Sequence, residues 1–130
     1  QGRYLPLLVY SVMFAGFISA EELPLWYNAA AVFVYPSVYE GFGMPLLEAM
    51  ACGTPVVGSD ASAMPELVAD AGLLVAPDDV TALADSIVRV LDHASLRKDL
   101  GTRGRARASQ FTWEAAVGAT LASYRRALEC

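Results

Sequence analysis

Between Ala31 and Val57 the chain runs through an apolar stretch, a turn flanked by glycines, a proline, a short helical stretch and a Gly-Thr-Pro restart, and that order leaves few folds open. Ala31 to Val34 is uninterrupted apolar sequence, the pattern of a strand buried on both faces of a parallel sheet. Tyr35-Pro36-Ser37 closes it. Gly41 and Gly43 permit positive φ and close approach of a ligand to the backbone. Pro45 suits the first turn of a helix, where its missing N–H costs nothing. Gly53 suits the residue just past the helix end, and Thr54-Pro55 forces an extended restart. The unit is strand, glycine loop, short helix, strand.

A helix opening from a glycine loop points free N–H groups, and about half a unit of positive charge, at an anion. Glu40 stands before the loop and Glu48 lies one turn inside the helix. A carboxylate at Glu48 cannot help bind phosphate, because like charges repel. It can accept two hydrogen bonds from a vicinal diol such as that of ribose. The unit can therefore hold a sugar on Glu40, a diphosphate on the helix end and a ribose on Glu48. Each residue alone also has a plainer reading. Glu40 is then a solvated loop carboxylate, Glu48 a helix-surface acid near the dipole, Phe42 a packing residue, and Met44 and Leu47 core. Glu66, after Pro65, reads as a first-turn helix residue, and Asp60 as a loop carboxylate.

Elsewhere helix and strand alternate. Ser19 and Glu22 form a capping box for a helix ending near Ala30, with Pro24 at the limit of what its first turn tolerates. Pro55 to Gly58 and Leu73 to Val75 read as strands. Asp78-Asp79 precedes a helix with Val80, Leu83, Ala84, Ile87, Val90 and Leu91 on one face. Ser95 can cap a basic helix running to about Ala108, and Thr112 a last helix striped by Trp113, Val117, Leu121, Tyr124 and Leu128. The pattern predicts an α/β, Rossmann-like doubly wound domain with the ligand outside the carboxyl ends of its strands.

Composition excludes several classes. The 130 residues make one domain with a real core, and 55% of them are apolar. A net charge of -5 argues against nucleic acid as the main partner. Cys52 and Cys130 give no disulfide framework, and His93 is the sole histidine, which leaves no metal cluster and no histidine-based triad. The apolar run Leu5 to Ile18 falls short of the ~20 residues that span a bilayer. Gly2-Arg3 precedes it without a cleavage site to follow, so a buried strand is the better reading than a signal peptide.

Glu40 to Glu48 matches the E-x7-E motif of retaining glycosyltransferases of the GT-B fold, and the wording EGFGMPLLEAMACGTPVV resembles family 4. The likeness covers most of the chain. Phe14 to Ser19 is similar to the strand and loop that meet the nucleotide base, Glu22 to Tyr27 to the helix that follows, and Ala63 to Leu67 and Ala71 to Val75 to later elements. The resemblance implies transfer of a sugar from a nucleotide-sugar donor to an acceptor with retention at the anomeric carbon. It implies Glu40 at the donor sugar as the catalytic residue, and the backbone of Gly41, Phe42 and Gly43 facing the sugar hydroxyls. Backbone N–H groups of Met44 and Leu46, with Leu47 close by, would face the diphosphate, Glu48 the ribose, and Phe17 and Ile18 the base. No metal and no other cofactor is implied.

Residues 1–130 then resemble a partial C-terminal donor-binding domain lacking its first strands. The Gly-Arg strand and the Lys that grip the diphosphate in the family are not found here, nor is the N-terminal acceptor domain. In the order 3-2-1-4-5-6 the first strand here would be the third and the next the fourth, leaving a gap for another copy of the chain to fill or a rearrangement to close. A second reading is thus a non-catalytic, truncated or assembly-forming fragment that binds nucleotide weakly. A nucleotide-sugar epimerase ranks below both, because its extra acid–base side chains are not identifiable, and the absence of an Asp-x-Asp motif disfavours a GT-A enzyme. A cytoplasmic setting is expected, with room for peripheral contact at the inner membrane face, since many relatives in the family glycosylate lipids.

Overall fold

The computed structural model describes residues 12–129. Three short strands, β1 (Phe33–Tyr35), β2 (Val56–Ser59) and β3 (Leu73–Val75), form a parallel sheet in the order β1-β2-β3. Val34 lies opposite Val57, and Gly58 opposite Leu74. Among the described residues six helices accompany them: α1 (Leu23–Ala29), α2 (Met44–Cys52), α3 (Met64–Val68), α4 (Val80–Asp92), α5 (Ala94–Ala108) and α6 (Trp113–Leu128). Because side chains alternate along a strand, β2 feeds two cores. Val56 packs with Tyr27, Leu46, Met50, Met64 and Leu67 from α1, α2 and α3. Val57 packs on the other face with Val90 of α4 and Leu100 of α5. The sheet is therefore covered on both sides, as the alternation of apolar runs predicts.

Strand β1 begins two residues later than the apolar run suggests. Pairing starts where Phe33 N–H reaches Pro55 O at 2.8 Å, and it carries on through Tyr35 opposite Gly58. The described part of the run Leu5 to Ile18 is not a buried strand. Residues 12–18 carry no regular structure, and Phe14 and Phe17 are each 94% exposed; residues 5–11, like Cys130, lie outside the described residues. The three described strands are neighbours in chain order; the gap expected before β1 turns on a strand whose residues 5–11 lie outside the described ones.

Two caps differ from expectation. Ser19 and Glu22 form no capping box: Ser19 offers its carbonyl to the N–H groups of Glu22 and Leu23, and Glu22 caps α1 without a side-chain bond. A helix starting from Ser19 would drive the Pro24 ring against the carbonyl four residues back, so α1 starts later and takes Pro24 into its first turn. Likewise α5 is capped by His93, which also follows the last residue of α4, and Ser95 falls inside the first turn. Thr112 caps α6 as expected, accepting from Ala115 N–H at 3.1 Å, and of the pair Asp78-Asp79 that precedes α4 it is Asp79 that caps it, accepting from Ala82 N–H at 2.8 Å. The stripe on α6 has the right period but is not buried. Trp113 and Leu128 are 85% and 87% exposed, and no described residue of α6 is buried.

The basic character of α5 has a structural cause. Orphan carbonyls at helix C-termini need donors, and cations suit the negative end of the dipole. Arg97 donates to Val90 O and Leu91 O at the end of α4. Arg105 donates to Cys52 O at the end of α2. Arg107 donates to Glu66 O and Leu67 O in α3, at 2.6 and 3.0 Å, and lies 4.8 Å from the Phe111 ring centroid. Arg103 reaches Asp70 O and pairs with Asp99. One helix thus closes the ends of three others.

The crossing of α5 over α2 is close enough to need glycine on both sides. Gly53 has φ +78° and ends α2 with the paired bonds Gly53 N–H to Met50 O and Thr54 N–H to Ala49 O. A Cβ on Gly101 would sit 2.4 Å from Gly53 O. By contrast, a Cβ on Gly118 in α6 meets nothing within 4 Å. Gly101→Ala is expected to cost about 1–3 kcal/mol of unfolding free energy, and Gly118→Ala to add up to about 1 kcal/mol. Urea denaturation checks both; a neutral Gly101→Ala would contradict the close crossing.

Candidate functional site

The loop after β1 carries Glu40 to the start of α2, and the structure fixes it from three directions. Tyr35 Oη donates to Glu40 Oε1 at 2.5 Å, and Ser37 Oγ donates to the same oxygen at 3.0 Å. Ser62, in the turn after β2, closes a ring on the Glu40 backbone: its Oγ donates to Glu40 O at 2.6 Å and accepts from Glu40 N–H at 3.3 Å. Glu48, half-buried on α2, accepts from Tyr27 Oη of α1 at 3.0 Å through Oε2.

The two tyrosines share a wall. Phe33 and Tyr35 project from the same face of β1, their rings stacked at 6.0 Å and 17°, and Tyr27 meets Phe33 edge-on at 5.1 Å. Each glutamate therefore rests on a phenol from one continuous row of three rings. Burial, the hydrogen bond to Glu48 and its negative charge push the Tyr27 phenol up to about 12. The hydrogen bond to Glu40, then burial and the Glu40 charge, raise Tyr35. Both phenols stay protonated at neutral pH and remain donors to carboxylates.

The start of α2 departs in detail from the expected cradle. Gly43 is its N-cap at φ +93°, and a Cβ there would come within 3.2 Å of Leu67 Cδ2. Gly41, by contrast, has no positive φ, and a Cβ on it would meet open space, so its glycine is not required by the backbone. Leu46 is fully buried, and its N–H is donated to Gly43 O at 3.0 Å, because the first turn of α2 is closed by i→i+3 bonding. Of the two amides expected to face a diphosphate, Met44 N–H is the one this bond does not engage. Leu47 is half-buried and packs on the core. Ile18 is half-buried and Phe17 exposed, both in the chain segment that precedes α1.

Neither Glu40 nor Glu48 lines either of two cavities that adjoin the start of α2. The larger, of about 670 Å³, lies between Phe42, Met44 and Leu47 on one side and Phe111, Trp113 and Ala116 on the other. The smaller, of about 130 Å³, is bounded by Gly41, Phe42, Ala63, Glu66 and Leu67. Phe42 lines both and meets Phe111 edge-on at 5.7 Å. Polar groups converge at the glutamates rather than in the larger cavity, so the glutamates carry the candidate chemistry. Tyr27, Tyr35, Ser37 and Ser62 were not among the expected site residues. Ser37 lies three residues from Glu40 and is a local signal; Tyr27 and Ser62 come from 21 and 22 residues away from their glutamates and carry no local one. Among the described residues no group of three or more His, Cys, Asp or Glu side chains is placed to hold a metal ion, and no helix is long and apolar enough to cross a membrane.

Residues 4–93 match the family of glycosyl transferases group 1. Similar proteins include O-antigen chain mannosyltransferase B of Escherichia coli, 46% identical over 114 residues, covering 88% of this chain and 30% of that protein. The MMP alpha-(1->4)-mannosyltransferase of Mycolicibacterium hassiacum is 43% identical over 115 residues, with 85% and 28% covered. Among solved structures, sucrose-phosphate synthase from Thermosynechococcus elongatus superposes with a TM-score of 0.78 at 41% identity, over 90% of this chain and 30% of that one. The chain spans about 30% of the length of these proteins.

The Tyr27 phenol supplies a pH test of the glutamate contacts. A phenol whose folded value is raised to about 12 from the ordinary 10 stabilises the fold fully below pH 10. That contribution is lost as pH rises through about 12. Absorbance titration near 295 nm is expected to show one late phenol phase that Tyr27→Phe removes, together with a shallower alkaline fall in stability. Tyr27 ionising at the ordinary value would contradict both its burial and its contact with Glu48.

Proposed function

The chain belongs to the glycosyl transferases of group 1, and on that premise we propose that it carries part of the donor site of a retaining, GT-B glycosyltransferase. The donor is a nucleotide-sugar, and the product retains the anomeric configuration. Glu40 meets the donor sugar near the reacting carbon, and Glu48 accepts from the ribose hydroxyls. Met44 N–H, at the positive end of α2, faces the diphosphate. Phe17 and Ile18 are the candidate base contacts. One observation carries the reading: two carboxylates eight residues apart, one before the α2 tip and one inside it, each oriented by a phenol of a single aromatic row.

The leaving diphosphate guides the acceptor in this reading, and no metal takes part. The acceptor is held by a further domain outside these residues, consistent with the greater length of the relatives. The mannosyltransferases among them make a mannosyl donor the first to test. A cytoplasmic enzyme touching the membrane face peripherally fits an acceptor that is a lipid.

A second reading concerns the 130 residues by themselves. Arg97, Arg103, Arg105 and Arg107 all donate to backbone carbonyls, so the basic helix does not offer these four cations to a diphosphate. The isolated chain is then a weak nucleotide binder without transfer activity. Calorimetric titration with a panel of nucleoside diphosphates, for the chain and for a full-length protein containing it, separates the two readings.

In the full-length protein Glu40→Gln is expected to lower kcat far more than donor affinity, because its role lies near the developing charge. Glu48→Ala is expected to raise the donor dissociation constant about tenfold to a few hundredfold, through two lost hydrogen bonds. Negligible effects from both would refute the site. Transfer is expected to persist in chelator; loss of activity restored by Mg²⁺ would refute the metal-free mechanism.

A further inference from the structure

We propose that Tyr35, Ser37 and Ser62 are positioning residues that fix the Glu40 carboxylate and leave Oε2 as the oxygen presented to the ligand. The inference rests on the reading of Glu40 as the donor-sugar residue. A loop glutamate has three rotatable bonds and ordinarily samples many rotamers. Here Tyr35 Oη donates to Oε1 at 2.5 Å, Ser37 Oγ lies 3.0 Å from the same oxygen and divides its proton between it and Tyr39 O at 3.2 Å, and neither hydroxyl engages Oε2. Tyr35 belongs to β1 and Ser37 to the loop that follows, so the carboxylate is tied to the sheet through Tyr35.

The backbone is held separately. Ser62 Oγ bridges Glu40 N–H and Glu40 O, which pins the peptide to the turn after β2. Ser62 does this from φ +56°, a left-handed conformation that a residue with a Cβ adopts only at a cost in strain. Two strands thus meet at one side chain: β1 sets its head and the β2 turn sets its root. A hydroxyl in place of glycine at a left-handed position makes sense where the hydroxyl itself is needed.

The geometry supplies variants that separate positioning from folding. Ser62→Gly suits the left-handed backbone and deletes only the bridge, so thermal stability is expected to hold or rise. Tyr35→Phe keeps the ring stacked on Phe33 and deletes only the donor. In the full-length protein Tyr35→Phe is expected to lower kcat about 10- to 100-fold, the range for one hydrogen bond to a charged group, and Ser62→Gly, which loses bonds to neutral peptide groups, about 3- to 10-fold, each with donor KM within about twofold. Ser37→Thr is expected to keep the activity that Ser37→Ala loses. An unchanged kcat in Ser62→Gly and Tyr35→Phe, or kcat and KM falling in step with stability, would overturn the proposal. Side-chain NMR couplings of Glu40 in the 130-residue chain give an independent reading. A single rotamer in the parent chain that averages in both variants supports the clamp, whether or not transfer is seen; averaging already in the parent chain defeats it. A clamped Glu40 in a full-length protein that transfers no sugar would instead remove the donor-site reading while leaving the clamp intact.

Discussion

The contact between α5 and the end of α2 is the constraint on which the remainder of the domain rests. Gly101 lies directly over the Gly53 carbonyl, and Arg105 donates to Cys52 O beside it. From that crossing α5 reaches both cores, with Leu100 on the Val57 face and Ala108 on the Val56 face. It also delivers Arg97, Arg103 and Arg107 to carbonyls at the end of α4, at Asp70 and in α3. Val90 O and Leu67 O are half-buried, where a missing donor is expensive, so a helix that satisfies both, and reaches further carbonyls at the surface, fixes the relative placement of its neighbours. The position of α2, and with it of Glu48, follows from this packing.

The site uses a different device. Each carboxylate is oriented by a phenol, and the phenols belong to the row Tyr27, Phe33, Tyr35 that packs against the α1–α2 core. Tyr27 is further tied down through its own carbonyl, which accepts from Thr54 Oγ1 at 2.7 Å. The polar groups are thus aimed by apolar packing rather than by other charges. Protonated phenols suit this task, since they donate to a carboxylate without neutralising it.

Much of the fold was legible because its signals are local. Gly53 before Thr54-Pro55 announces a left-handed helix end, and Asp79 and Thr112 announce helix starts, since cap chemistry acts within a few residues. The Ser19–Glu22 box misled because the Pro24 ring overrides it, a steric fact that residue spacing does not express. The α6 stripe misled in another way: periodicity reports which side chains share a face, not whether anything covers that face. At the site, the positions of Glu40 and Glu48 around the glycine loop were readable from the chain. Their partners were not, because Tyr27 and Ser62 approach from separate elements. The commitment of Leu46 N–H to Gly43 O was equally invisible, since it depends on how tightly the first turn of α2 winds.

The long sequence separation of the α5 bonds bears on how the domain is made. Arg105 to Cys52, Arg107 to Glu66 and Arg103 to Asp70 span 53, 41 and 33 residues. The sheet, by contrast, joins strands that follow one another. A nascent polypeptide that has left the ribosome only as far as α4 therefore has its strands but lacks the guanidinium groups that close its helices. Translation must continue past Ala108 before these contacts can close, which makes α5 the timekeeper of the maturation of the sheet and helices that precede it.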